Sequence, residues 1–364
     1  MADETAAGWA DLLRAGRAPA AAILVGGILL HSMNVLLTAT VLPSLVADVG
    51  GADQISWPTT AYLAASLVAA SCAGMTVART GAKLAFTLGA FVFAVGTLGC
   101  ALAPSMLAFV GGRFVQGFGG GLVMATAYVL VRNVFPKTLW PRVFAMFASV
   151  WSVSVLLGPL VGGAFASFGD WRGAFYTLSG VALAIAVLAV VAFPPAAPPE
   201  EDPPSPPWSC VGLIVLAIAA LSAAAIAPAA GGKAACLALG FAIAAFMLAR
   251  DRKAARPMLP SDAFRLASAT GVGLWTALLL LVAFAPLQVF GPMFLQALHG
   301  LDPLGAGYAV ASASLAWTVA ALGVAGFAVA WQGRMLQVGP LLMAAGFAAT
   351  AAFLPAGPLA LTVL

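Results

Sequence analysis

"AAAILVGGILLHSMNVLLTATVLPSL", Ala20 to Leu45, runs for 26 residues without an acidic, lysine or arginine side chain. As a helix rising about 1.5 Å per residue it reaches roughly 39 Å, more than the roughly 30 Å hydrocarbon core of a bilayer. The stretch therefore reads as a membrane span. Inside it His31 and Asn34 lie about one helical turn apart. Polar side chains are costly in hydrocarbon, so each needs a reason to be there.

Runs of this kind recur along the chain. Its 364 residues are 63% hydrophobic and 8% charged, whereas soluble domains use roughly 45–50% apolar residues. The mean hydropathy is +1.05. Helices are predicted near 20–45, 57–77, 84–103, 107–130, 143–167, 174–193, 208–228, 233–249, 268–293, 304–330 and 335–354. The expectation is an all-α, polytopic membrane protein with about eleven transmembrane helices. The first run is read as a permanent helix, because Met1 to Pro19 carries acids beside Arg14 and Arg17 and many spans follow.

Charge sets the orientation. An N-terminus inside places Arg14, Arg17, Arg79, Lys83, Arg132, Lys137, Arg142, the basic residues from Arg250 to Arg265, and Arg334 on the cytoplasmic side. That is thirteen of the sixteen basic residues. The expected location is the plasma (inner) membrane, multi-pass, with a cytoplasmic N-terminus. The net charge of +4 follows from this distribution, and no nucleic-acid partner is expected. Cys72, Cys100, Cys210 and Cys236 form no CxxC pair and read as small core residues. No metal, cofactor or catalytic constellation is expected, and the chain is not read as an enzyme.

The segments expected along the chain are a cytoplasmic stretch 1–19, a six-helix bundle 20–193, and the proline-rich acidic linker "PPAAPPEEDPPSPP" at 194–207. Two additional helices follow at 208–250, then a basic cytoplasmic connection at 251–267, with the charges of "ARDRKAARPML" at 249–259 read as solvated and near anionic headgroups, and helices over 268–364. After "AAFLPAGPLALTVL" the sequence stops a few residues into what reads as a further helix, so the last segment is expected to be truncated.

Several motifs are more specific. "GPLVGG", Gly158 to Gly163, combines a helix-breaking proline with glycines that permit a bend and close helix contact. "GRFVQGFGGG", Gly112 to Gly121, places Arg113 and Gln116 one turn apart. Its glycines read as close packing rather than a phosphate loop, since no strand precedes them. These two motifs, together with "NVLLTATVLPSLVADVG", "WPTTAYLAASL", "DWRGAFY" and "FLQALHGLDPLGAGY", occur in an order and spacing that resembles the fourteen-helix branch of the drug:proton antiporters of the major facilitator superfamily. The likeness runs from about Ala20 to Tyr308.

The resemblance implies two six-helix bundles with two helices between them, three helices missing from the second bundle, and alternating access. It makes Gly158, Pro159, Gly162 and Gly163 the antiporter-type bend. It makes Gly74, Arg79, Gly81 and Lys83 of "GMTVARTGAKL" a cytoplasmic gate loop, with Ala78 where an aspartate is usual. Arg79 and Lys83 also read as positive-inside charges alone. Arg113 matches the family's helix-4 arginine tied to proton coupling, or else is a residue snorkelling to the membrane face. Asn34 stands where the family usually carries an aspartate, and asparagine cannot titrate.

Every Asp and Glu falls outside the predicted spans. His31 is then either a substitute proton carrier or a neutral hydrogen-bonding group. His31, Asn34, Arg113 and Gln116 are the candidate proton-coupling and substrate-cavity residues, and Trp57, Tyr62, Tyr128 and Trp151 read either as lining aromatics or as interfacial anchors or packing. The function expected is proton-coupled export of hydrophobic or amphipathic small molecules, with that substrate, protons and the lipid bilayer as partners. The alternatives are a non-transporting truncated relative, a ligand-binding membrane protein, or an uptake carrier on the same fold.

Overall fold

The computed structural model describes residues 9–12, 17–55, 57–193, 208–227, 229–254, 257, 259–300, 303–325 and 329–353. Arg14, the linker at 194–207, Arg256, Asp302 and the last residues of the sequence lie outside them.

The described residues form helices α1 (Arg17–Val49), α2 (Trp57–Ala101), α3 (Met106–Val134), α4 (Trp140–Ser167), α5 (Trp171–Ala192), α6 (Trp208–Ile226), α7 (Ala230–Asp251), α8 (Ala269–His299), α9 (Pro303–Ala325) and α10 (Val329–Phe353), with three short 3₁₀ turns. Six segments, built on α1 to α5 and α7, are long and apolar enough to cross a membrane. Shorter apolar stretches lie in α6, α8, α9 and α10. Many large apolar side chains on these helices are exposed, among them Leu188, Val191 and Phe241. Outward-facing apolar surface of this extent suits a hydrocarbon solvent and not water.

Eleven predicted segments correspond to ten elements because two of them join. α2 has 45 residues, enough for two crossings at about 1.5 Å per residue. The expected connection at 78–83 contracts to a single non-helical residue, Gly81, with φ 77° and ψ 156°. Only glycine adopts such a backbone without strain, so helix resumes at once on either side.

Caps move other boundaries. Asp170 Oδ1 accepts from Gly173 N at 2.9 Å, which starts α5 at Trp171, three residues before the predicted start. Ser105 Oγ accepts from Ala108 N at 3.3 Å at the start of α3.

Two compact units emerge. One comprises Leu13–Lys137 and Leu157–Leu259, and is organised around α3. Gly117 and Gly121, one turn apart, lie against the backbone of Tyr62 and Ser66 in the first half of α2. Gly112 and Gly119 lie against Cys100 and Phe93 in its second half. Side chains at these positions would collide with main chain, so the glycines let three helical segments approach closely.

The other unit comprises Met1–Leu12, Thr138–Leu156 and Pro260–Leu364. Within it Thr318 Oγ1 of α9 donates to Ser152 Oγ of α4 at 2.5 Å. The Arg142 guanidinium, expected on the cytoplasmic side, is largely buried and lies 6.0 Å from the Trp9 ring.

Asp251 departs from the reading of 249–259 as solvated charge. It closes α7 and is buried, with Oδ2 accepting from Leu259 N at 3.1 Å. A carboxylate that satisfies a returning backbone amide is used structurally and is withdrawn from solvent.

Candidate functional site

α1, α2 and α3 bring together the polar groups that stand out within apolar sequence. α1 carries His31 and Asn34 on one buried face, one turn apart, and α3 presents Arg113 and Gln116 at the same three-residue spacing. Asn34, Arg113 and Gln116 are each 0% exposed and His31 is 7% exposed.

Arg113 is the centre. Its Nη1 donates to Asn34 Oδ1 and, at 2.5 Å, to Gln116 Oε1. Its Nε donates to the Pro58 carbonyl oxygen at 3.3 Å. The guanidinium carbon sits 4.1 Å from the Tyr62 ring centroid, a cation–π contact in a desolvated setting. Gln116 Nε2 in turn donates to Thr97 Oγ1 at 2.7 Å, and Thr97 donates to the Phe93 carbonyl oxygen at 2.6 Å. The guanidinium is buried among protein groups and does not snorkel to a membrane face.

Tyr62 links the two halves of the cluster. Its hydroxyl lies 2.9 Å from His31 Nδ1 and donates to the His31 carbonyl oxygen at 3.0 Å. A hydroxyl has one hydrogen, so when that hydrogen goes to the carbonyl, Nδ1 is the donor of the second bond. His31 and Arg113 thus occupy opposite sides of one aromatic residue, its hydroxyl and its ring face.

Gly120 completes the arrangement, since a Cβ there would stand 2.7 Å from His31 Nδ1 and 2.9 Å from Tyr62 Oη. Tyr62, weighed on sequence as a lining aromatic, is fully buried, whereas Trp57, Tyr128 and Trp151 are exposed. Nothing in the sequence marked Thr97 or the Pro58 carbonyl. Tyr62 had one available signal, because a buried tyrosine needs a partner for its hydroxyl.

The remaining predicted residues fall elsewhere. Gly158 and Gly162 of α4 pack on α1, where a Cβ at Gly158 would stand 2.6 Å from Leu36 Cβ and one at Gly162 3.1 Å from the Leu37 carbonyl oxygen. Gly163 is nearby and half-buried, and Pro159 belongs to the same helix. The glycines therefore seat α4 on the stretch of α1 that follows Asn34.

Gly74 and Arg79 are exposed, and Gly81 is the break in α2. Lys83 Nζ donates to the Phe193 carbonyl oxygen at 2.9 Å, capping the end of α5. At the other end of α5, Arg172 pairs with Asp48 of α1 and donates to the Ala103 carbonyl oxygen at 3.0 Å, and Trp171 Nε1 donates to Asp48 at 3.2 Å.

Comparison with known proteins places this geometry in context. The family profile described as Major Facilitator Superfamily matches residues 24–364. A Mycobacterium tuberculosis protein named "Probable multidrug-efflux transporter" is 34% identical over 336 residues, covering 90% of this chain and 70% of the relative. The multidrug efflux pump SdrM of Staphylococcus aureus is 25% identical over 76% of this chain and 62% of its own length. Among solved structures, a D-xylose–proton symporter matches with a TM-score of 0.53 at 14% identity, covering 95% of this chain and 77% of the symporter.

Proposed function

This chain belongs to the major facilitator superfamily and is a multi-pass membrane carrier, not an enzyme; from that premise we propose that it exports hydrophobic or amphipathic small molecules in exchange for protons, by alternating access. The observation that carries the reading is likeness over 90% of the chain to a relative named for multidrug efflux. The positive-inside distribution supports an inner-membrane location with the N-terminus in the cytoplasm. The surrounding bilayer is then the solvent of the exposed apolar helix faces.

In this reading His31, Asn34, Arg113 and Gln116 form the coupling site. Among the described residues no Asp or Glu contacts Arg113. His31 is therefore the group proposed to carry the proton, with the Tyr62 hydroxyl at its Nδ1 as the exchange partner. Gly158, Pro159, Gly162 and Gly163 serve as the antiporter-type bend, with Gly158 and Gly162 seating α4 on α1. Gly74, Arg79, Gly81 and Lys83 serve as the cytoplasmic gate, with Lys83 braced on α5 rather than on an aspartate at position 78.

The test is transport in everted membrane vesicles using a lipophilic fluorescent dye. The dye is expected to accumulate while the vesicle interior is acid, to leave when nigericin collapses the pH gradient, and to be retained when valinomycin collapses only the electrical potential. Dye movement indifferent to nigericin would leave a facilitator, and no movement would favour a non-transporting relative. In the same assay His31→Gln is expected to flatten the pH dependence, and an unchanged pH profile would remove His31 as the proton carrier.

A further inference from the structure

We propose that Arg113 and Asn34 form a binding site for a small monovalent anion, either free halide or a carboxylate group. Arg113 is wholly withdrawn from solvent, and its guanidinium stays charged under all physiological conditions. Among the described residues every contact it makes is to a neutral group: the Asn34 and Gln116 amide oxygens, the Pro58 carbonyl oxygen and the Tyr62 ring. A buried charge without a countercharge is costly, because neutral dipoles replace only part of the lost hydration.

Two further donors have no hydrogen-bond partner among the described residues: Arg113 Nη2 and Asn34 Nδ2. They belong to side chains already bonded to each other. The Asn34 amide cannot turn to relieve this, since a flip would point its NH₂ group at the guanidinium. The cluster thus has surplus positive charge and surplus donors, and the ligand that answers both is an anion. Asn34 has the shape of a carboxylate without its charge, so the missing negative charge is left to a molecule that can come and go.

The inference does not depend on the export reading, because its test reads binding and not transport. The purified full chain in lipid nanodiscs is titrated with sodium chloride or sodium formate against sodium isethionate at constant ionic strength, and Tm is recorded. The wild-type protein is expected to show a saturable rise of several degrees with a small anion, as any ligand of the folded state produces.

Asn34→Asp supplies the carboxylate internally. It is expected to have a higher Tm than wild type in isethionate and no further response to chloride or formate. A response to chloride identifies a free halide as occupant. A response to formate without chloride identifies a carboxylate, as an anionic cargo would carry. Tm values equal in all three salts would overturn the site. So would an Asn34→Asp variant that responds like wild type, because the anion effect would then be a general salt effect or arise elsewhere.

Discussion

Gly120 shows how narrowly the residues around Arg113 are constrained. It faces the His31–Tyr62 pair across less than 3 Å from where a Cβ would stand, whereas Gly111 in the same helix has open space there. Gly120→Ala is expected to push the imidazole or the phenol aside and to destabilise the protein by about 1–3 kcal/mol, the usual range for overpacking. Gly111→Ala is expected to be neutral or mildly stabilising, because alanine favours helix over glycine by roughly 1 kcal/mol. Unfolding midpoints of the two variants in detergent micelles check the contrast, and equal midpoints would mean that the pair can move freely. His31, Asn34, Arg113 and Gln116 were legible as single residues because each is polar in an apolar run. Their connections were not, since these depend on which helices pack together. Tyr62 illustrates the gap: its ring meets Arg113 and its hydroxyl meets His31, a double role that no spacing within α2 encodes.

At the scale of elements, hydropathy announced the helices while short polar groups set their ends. Asp170 begins α5, Gly81 breaks α2, and Asp251 closes α7. The first was legible as an acid outside the predicted spans but not as a cap. The second was legible as part of a loop but not as a one-residue break. The third was read as solvent-facing, because its partner, the Leu259 amide, is eight residues further on. Lys83 and Arg79 separate two explanations of the basic residues near Gly81. Lys83 places its ammonium on the Phe193 carbonyl that caps the end of α5, where the helix dipole favours positive charge, and Arg79 is exposed. Lys83→Met is expected to cost about 1 kcal/mol of stability, and Arg79→Met no more than about 0.5 kcal/mol. Thermal unfolding of the two variants decides this, and equal losses would show that the cap contributes nothing beyond charge.

For the whole molecule, the orientation carries its own test. In a background with the four native cysteines replaced, Arg79→Cys is expected to react with a membrane-impermeant thiol reagent only in everted vesicles, and Asp53→Cys only in intact cells. The reverse labelling would invert the topology and with it the assignment of the gate. One feature of the α3-centred unit bears on how such a carrier moves. α5 is fastened to its neighbours at three heights: by Arg172 to Asp48 and Ala103, by Ser179 to the Ala94 carbonyl oxygen, and by the Phe193 carbonyl to Lys83. Lengthwise sliding of α5 along α2 would break all three ties together, whereas rotation of the helices as one block breaks none. These rungs make a ladder that resists shear, since any sliding of α5 against its neighbours gives up polar contacts at three heights at once.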